Sequence, residues 1–148
     1  MITAHDLVDL IAKKKVSNPF HFEGQRDMPL SESEICALEL SYGISFTETY
    51  RQHLISEGAG DFGFGWIYSP DPKSEFSLWS QYDILPSAKG IFLPFSDNGC
   101  GDYYCFPIVD GICGEQIVWL DHEAAYKPGK SEITDFRDFV VKNCLEPA

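Results

Sequence analysis

Positive charge is missing where negative charge is densest. The 148 residues include 23 acids against 11 Lys and Arg, for a net charge of −12. Residues 31–125 hold fifteen acids and only Arg51, Lys73 and Lys89 as bases, so the whole excess belongs to that stretch. An acidic surface repels phosphates, which argues against nucleic acid or an anionic membrane as partner. No apolar run approaches the ~20 residues of a membrane helix. Met1-Ile-Thr-Ala-His-Asp6 lacks the basic and apolar regions of a secretory signal. Without one, an odd set of five cysteines (Cys36, Cys100, Cys105, Cys113, Cys144) reads as reduced thiols in a cytoplasmic protein. Internal repeats and low-complexity segments are also absent. What is present is a chain 44% apolar and 14% aromatic, enough for one domain over 1–148 that needs no covalent staple.

The first half reads as helices. Residues 3–15 carry Leu7, Val8, Leu10 and Ile11 as an apolar stripe, closed by Lys13-Lys14-Lys15 at the negative end of the helix dipole. Residues 16–30 read as an irregular connection broken by Pro19 and Pro29. Ser31 and Glu34 have the spacing of a capping box, which places a second helix through Ile35, Leu38 and Tyr42. Gly43 is placed to end it in a left-handed conformation. Thr47 can cap a third helix, with Tyr50 and Leu54 on one face. Past residue 60 the chain turns to glycine, aromatics and β-branched residues. Strands are expected at Phe62–Tyr68, Ile91–Phe95, Tyr103–Phe106 and Ile117–Leu120, with turns at Ser96–Asp102 and Asp110-Gly111. Residues 75–85 fit a helical face through Phe76, Trp79 and Tyr82. Pro128-Gly129 reads as a loop and residues 132–145 as a last helix. The expected class is α+β: an antiparallel or mixed sheet, with N-terminal helices and a C-terminal helix packed on it.

The motifs of catalysis and metal binding are weak. Asp121-His122-Glu123 suggests acid–base work, but neighbours on an extended strand point to opposite faces and converge only if the chain turns. Cys100, Cys105 and Cys113 are spaced too widely for the Cys-x2–4-Cys pairs of zinc sites. A cysteine nucleophile needs a His base, and His53 and His122 are the candidates. Gly58–Gly65 lacks the Lys-Ser/Thr of a phosphate-binding loop. No catalytic residue, metal or cofactor is therefore expected. Trp66, Trp79 and Trp119 read as core residues, any exposed one becoming a candidate for a binding hot spot.

Four segments together resemble the SUKH superfamily, whose members include the fungal cell-wall-assembly regulator and many bacterial immunity proteins. They are Leu40–Leu54 with its Gly-Ile and Glu-Thr-Tyr-Arg, Leu93–Phe106 with its Gly-Asp turn and aromatic strand, Ile117–Glu123, and Phe136-Arg-Asp-Phe139. The resemblance spans about residues 30–142. Phe46-Thr47 stands where the family often has a proline, and Pro107 where an acid usually follows the aromatic strand. The resemblance implies a non-enzymatic protein that binds a toxin, often a nuclease, and blocks it. The fungal branch implies a regulatory scaffold instead.

Solubility alone, or attraction of a basic partner, would each account for the acidic middle. For contact with a protein toxin the candidates are acids in turns and at strand ends: Asp61, Asp97, Asp102, Asp110, Asp121 and Glu123. The same acids suit turn chemistry, above all in Asp97-Asn98-Gly99 and Asp110-Gly111. The expected function is an immunity protein that occludes a basic nuclease. The alternatives are a regulatory interaction module and an enzyme with a Cys–His or carboxylate site. Monomer and homodimer are both compatible with the sequence.

Overall fold

The computed structural model describes residues 2–146, so Met1, Pro147 and Ala148 of the expected 1–148 domain lie outside the described residues. Helix α1 spans Ala4–Ser17 and is opened by a capping box between Thr3 and Asp6. Leu7 and Ile11 are its buried residues. Its lysines do more than close the helix: Lys14 pairs with Glu146 at 2.8 Å and Lys15 with Glu57 at 3.3 Å. A 3₁₀ turn, Pro19–Phe22, follows in the segment expected to be irregular.

Helix α2 (Glu32–Tyr42) starts at the Ser31–Glu34 capping box and stops at Gly43, whose φ of 67° is the left-handed conformation that a side chain would strain. Helix α3 (Glu48–Ser56) is capped by Thr47, which accepts from the Tyr50 amide at 3.1 Å. Glu39 of α2 joins the two helices. One oxygen takes the Arg51 guanidinium and the other accepts the Phe46 amide at 2.8 Å.

The expected strand at Phe62–Tyr68 is shorter than read. Gly60–Asp61 (β1) pairs with Trp66–Ile67 (β2), and the residues between form the turn. Gly63 has a φ of 108°, and the Phe62 amide donates to the Gly65 carbonyl at 2.9 Å. The glycines thus turn the chain instead of extending it. Residues 75–85 form no continuous α-helical face. They hold a 3₁₀ segment, Trp79–Asp83, and a second follows at Pro86–Ala88.

The main sheet contains β3 (Phe92–Asp97), β4 (Tyr103–Val109), β6 (Val118–Asp121) and β7 (Lys127–Lys130) in that order, all antiparallel. Between them in sequence, β5 (Ile112–Cys113) folds back on β4 along the edge that β6 also uses. Strand β7 replaces the loop expected at Pro128-Gly129. Pro128 is tolerated there because β7 is the edge, and Lys127 and Lys130 discourage further pairing.

Successive β4 residues face opposite ways, so the sheet has two covered faces. Tyr104 and Phe106 meet α3 and the last helix. Phe106 packs against Tyr50 (5.7 Å between centroids), Phe95 (4.4 Å) and Phe136 (5.7 Å), and Tyr104 against Phe139 (4.8 Å). Tyr103 faces the 3₁₀ segment, its hydroxyl 3.1 Å from Gln81 Oε1. The last helix starts later than expected. Asp135 caps α4 (Phe136–Phe139), which runs into a π-helical turn, Val140–Leu145. Four helices on a mostly antiparallel sheet give the α+β class.

Candidate partner-binding face

Antiparallel register decides where the acids go. Asp97 lies opposite Tyr103, Tyr103 opposite Leu120, and Asp121 opposite Lys127. The exits of β3 and β6 and the entry of β4 therefore share one end of the sheet, and they bring Asp97, Asp102, Asp121 and Glu123 there. Asp61 joins them through the small hairpin. It lies opposite Trp66, whose indole N–H donates to Asp97 Oδ2 at 2.9 Å. Asp110 does not join them. It sits in the β4–β5 turn with φ 51°, the length of β4 away, roughly 20 Å at 3.4 Å per residue.

Four of the five acids at this end accept local hydrogen bonds. Asp97 accepts from Trp66, from the Tyr68 hydroxyl and from the Gly99 amide at 2.7 Å. Burial first, and then Asp97, pushes the Tyr68 phenol well above its ordinary range. Asp61 accepts from the Gly63 amide at 2.8 Å, and Asp121 from the Glu123 amide at 2.9 Å. Asp102 is buried, and its oxygens are spent internally. Oδ1 takes the His122 amide at 2.9 Å and lies 2.5 Å from His122 Nδ1, and Oδ2 takes the Asn98 side chain at 3.0 Å. Burial works against the Asp102 charge, but the bonds from His122 and Asn98 outweigh it and hold the carboxyl below its usual range. The same hydrogen bond to Asp102 raises the pKa of His122, which is exposed. Asp102 is thus a positioning group that fixes the β6 exit. Asp61, Asp97 and Asp121 are half-buried and Glu123 is exposed.

A turn after Asp121 does bring Asp102, Asp121 and His122 together, with one ligand atom of each within 4.8 Å of the others. The Asp102 oxygens already accept from His122 and Asn98, so a cation would have to displace those bonds. Nor do the thiols match a zinc or nucleophile site. Cys36 and Cys100 are exposed and Cys105, Cys113 and Cys144 buried. Burial pushes the Cys113 thiol up to about 12 and raises Cys105 and Cys144 as well, so all three stay protonated.

Beside the acids opens a cleft of about 540 Å³. Phe64, Trp66 and Asp97 line it together with Lys142, Asn143 and Glu146. Phe64 is 52% exposed, and Trp66 is half-buried and held by Asp97. None of the three tryptophans is fully buried, contrary to the core reading. The sequence did not single out Phe64, Asn143 or Glu146. A phenylalanine between two turn glycines was the one available signal.

The model of the SMI1 / KNR4 family (SUKH-1) matches residues 29–140. The chain belongs to that family. The match takes in Asp61, Asp97, Asp102, Asp110, Asp121 and Glu123, and leaves out Glu146 and α1. The SUKH-1 family includes toxin immunity proteins and is known mostly for immunity and regulatory domains. No curated protein compared with the chain matches it. Among the described residues no helix is long and apolar enough to cross a membrane.

Proposed function

We propose that this SUKH-1 domain is an immunity protein that binds a basic toxin, in the first instance a nuclease, and occludes its substrate-binding cleft. One observation carries the reading. Acids scattered over sixty residues of sequence meet at one end of the sheet, beside a cleft with an aromatic wall. Turn bonds hold Asp61, Asp97 and Asp121 in place, so a partner need not order them. An interface of about 800 Å² per partner would cover this end. A field of one sign also speeds encounter with a partner of the other sign.

The test is affinity capture from the native host at low and high salt, followed by association kinetics with the captured protein. The expected capture is a basic nuclease domain held at low salt and weakened at high salt. With Asp121→Asn and Glu123→Gln combined, association at low salt should slow about tenfold and lose salt dependence. A nuclease that binds at an unchanged rate would refute the electrostatic face. Capture of the cell's own regulatory proteins would favour the scaffold reading of the same family.

A further inference from the structure

The end of the molecule opposite the acids carries a different surface. Val109 and Ile112 pair across the β4–β5 turn and are 69% and 62% exposed. Beside this tip lies a groove of about 650 Å³. Tyr42 and Trp79 stack in it, with centroids 3.7 Å apart and planes 10° from parallel. Ile84 and Ile91 follow Asp83 and Gly90 of its wall and are 56% and 52% exposed. Four exposed aliphatic side chains around one aromatic groove form the kind of patch that marks an interface.

Hydrogen bonds anchor both tip and groove. The Ser45 amide donates to the Gly111 carbonyl at 2.7 Å and the Cys113 amide to the Ser45 carbonyl at 2.9 Å, which fastens the tip to the end of α2. The Trp79 indole donates to the Pro70 carbonyl, and the Tyr82 hydroxyl to the Phe92 carbonyl, each at 2.6 Å. A preformed knob next to a preformed hole is what a two-fold interface requires, since the same patch must serve both copies.

Charge selects the occupant. A chain of net charge −12 repels its own copies unless they meet where acids are few. The groove wall holds Lys89 against Asp83, one charge of each sign, and the tip holds Asp110. A two-fold pair that seats each tip in the other copy's groove would bring Lys89 of one copy toward Asp110 of the other. We infer that this end is a self-association surface, in which the Val109–Ile112 tip of each copy enters the Tyr42–Trp79 groove of the other. The acidic ends then point away from each other.

Sedimentation equilibrium from about 1 μM to about 300 μM tests this, with reductant present because Cys36 and Cys100 are exposed. The expected species has twice the 16.7 kDa chain mass and gains affinity with salt, which screens the repulsion. Toxin binding at the acidic end should lose affinity with salt, so the two readings fail separately. Val109→Asp and Ile91→Asp should each weaken the dimer about 100-fold while leaving circular dichroism and melting unchanged, since both side chains already face solvent. Glu123→Gln should leave the dimer intact. A monomer at the highest concentration would overturn the inference. So would a dimer that survives both aspartates, or one that protects the β7 edge from hydrogen exchange instead of residues 84–112.

Discussion

His53 is the residue whose chemistry is least at ease in this fold. It is 2% exposed, and neither ring nitrogen has a hydrogen-bond partner. Burial, with help from the nearby Arg26 guanidinium, pushes its pKa from 6.5 down to about 3. Between those values the unfolded chain binds a proton that the folded chain refuses, so stability falls as pH falls from about 6.5 toward 3. The slope is about 1.4 kcal/mol per pH unit. Other shifted groups act at the edges of this window. His122, with a raised pKa, adds stability that is full below 6.5 and lost as pH rises through its folded value. Asp102, with a lowered pKa, loses its contribution only below 3.8. Urea unfolding at pH 6.5 and 4.5 should therefore show a loss of about 2–3 kcal/mol in the wild type. Most of that loss should vanish in His53→Met, which keeps the volume and removes the titration. An equal loss in both proteins would place the acid sensitivity elsewhere.

At the scale of elements, local signals were legible in the sequence and long-range ones were not. The Ser31 and Thr47 caps and the Gly43 stop each depend on residues within a few positions, and α2 starts and ends, and α3 starts, where they place them. Phe62–Tyr68 misleads because alternation of aromatics and glycines looks extended, while Gly63 turns the chain. Strand β7 was hidden because Pro128-Gly129 forms an edge only once β6 is beside it. The candidate site divides the same way. Asp97, Asp102 and Asp121 stand out in the sequence through their turns, but their meeting follows from sheet register, as does the exclusion of Asp110. Two glycines separate local from long-range cost. Gly43 has a φ of 67° and nothing within 4 Å of an added Cβ, so Gly43→Ala should cost only the left-handed strain, about 1–2 kcal/mol. Gly60 has a φ of 109°, and its Cβ would lie 2.7 Å from Arg26 Cα and 2.8 Å from the Gln25 carbonyl oxygen. Both neighbours are backbone, so Gly60→Ala should cost at least about twice as much, read from thermal or urea unfolding. Equal costs would mean that the segment at Arg26 moves aside freely.

For the whole molecule, the question is whether α1 belongs to the same folding unit as the SUKH-1 match, which begins only at residue 29. Three sets of contacts tie it in. Leu7 and Ile11 lie in the hydrophobic core, Lys15 reaches Glu57 at the end of α3, and Lys14 reaches Glu146 beyond the π-helical turn. The ion pairs are partly exposed and each contributes at most about 1 kcal/mol, so the apolar face decides. Ile11 is fully buried, and Ile11→Ala removes three carbons from a site that is already packed. The expected cost is about 2–4 kcal/mol, with a single unfolding transition seen alike by tryptophan fluorescence and by far-UV circular dichroism. Trp66, Trp79 and Trp119 all lie past residue 65, so their fluorescence reports the hairpin and sheet region and not α1. If α1 were an appendage, the substitution would lower the helical signal in an early separate phase and leave the fluorescence midpoint in place. A shared shift of both midpoints would instead show that the segment outside the family match helps hold the acidic end and the groove end in one rigid body.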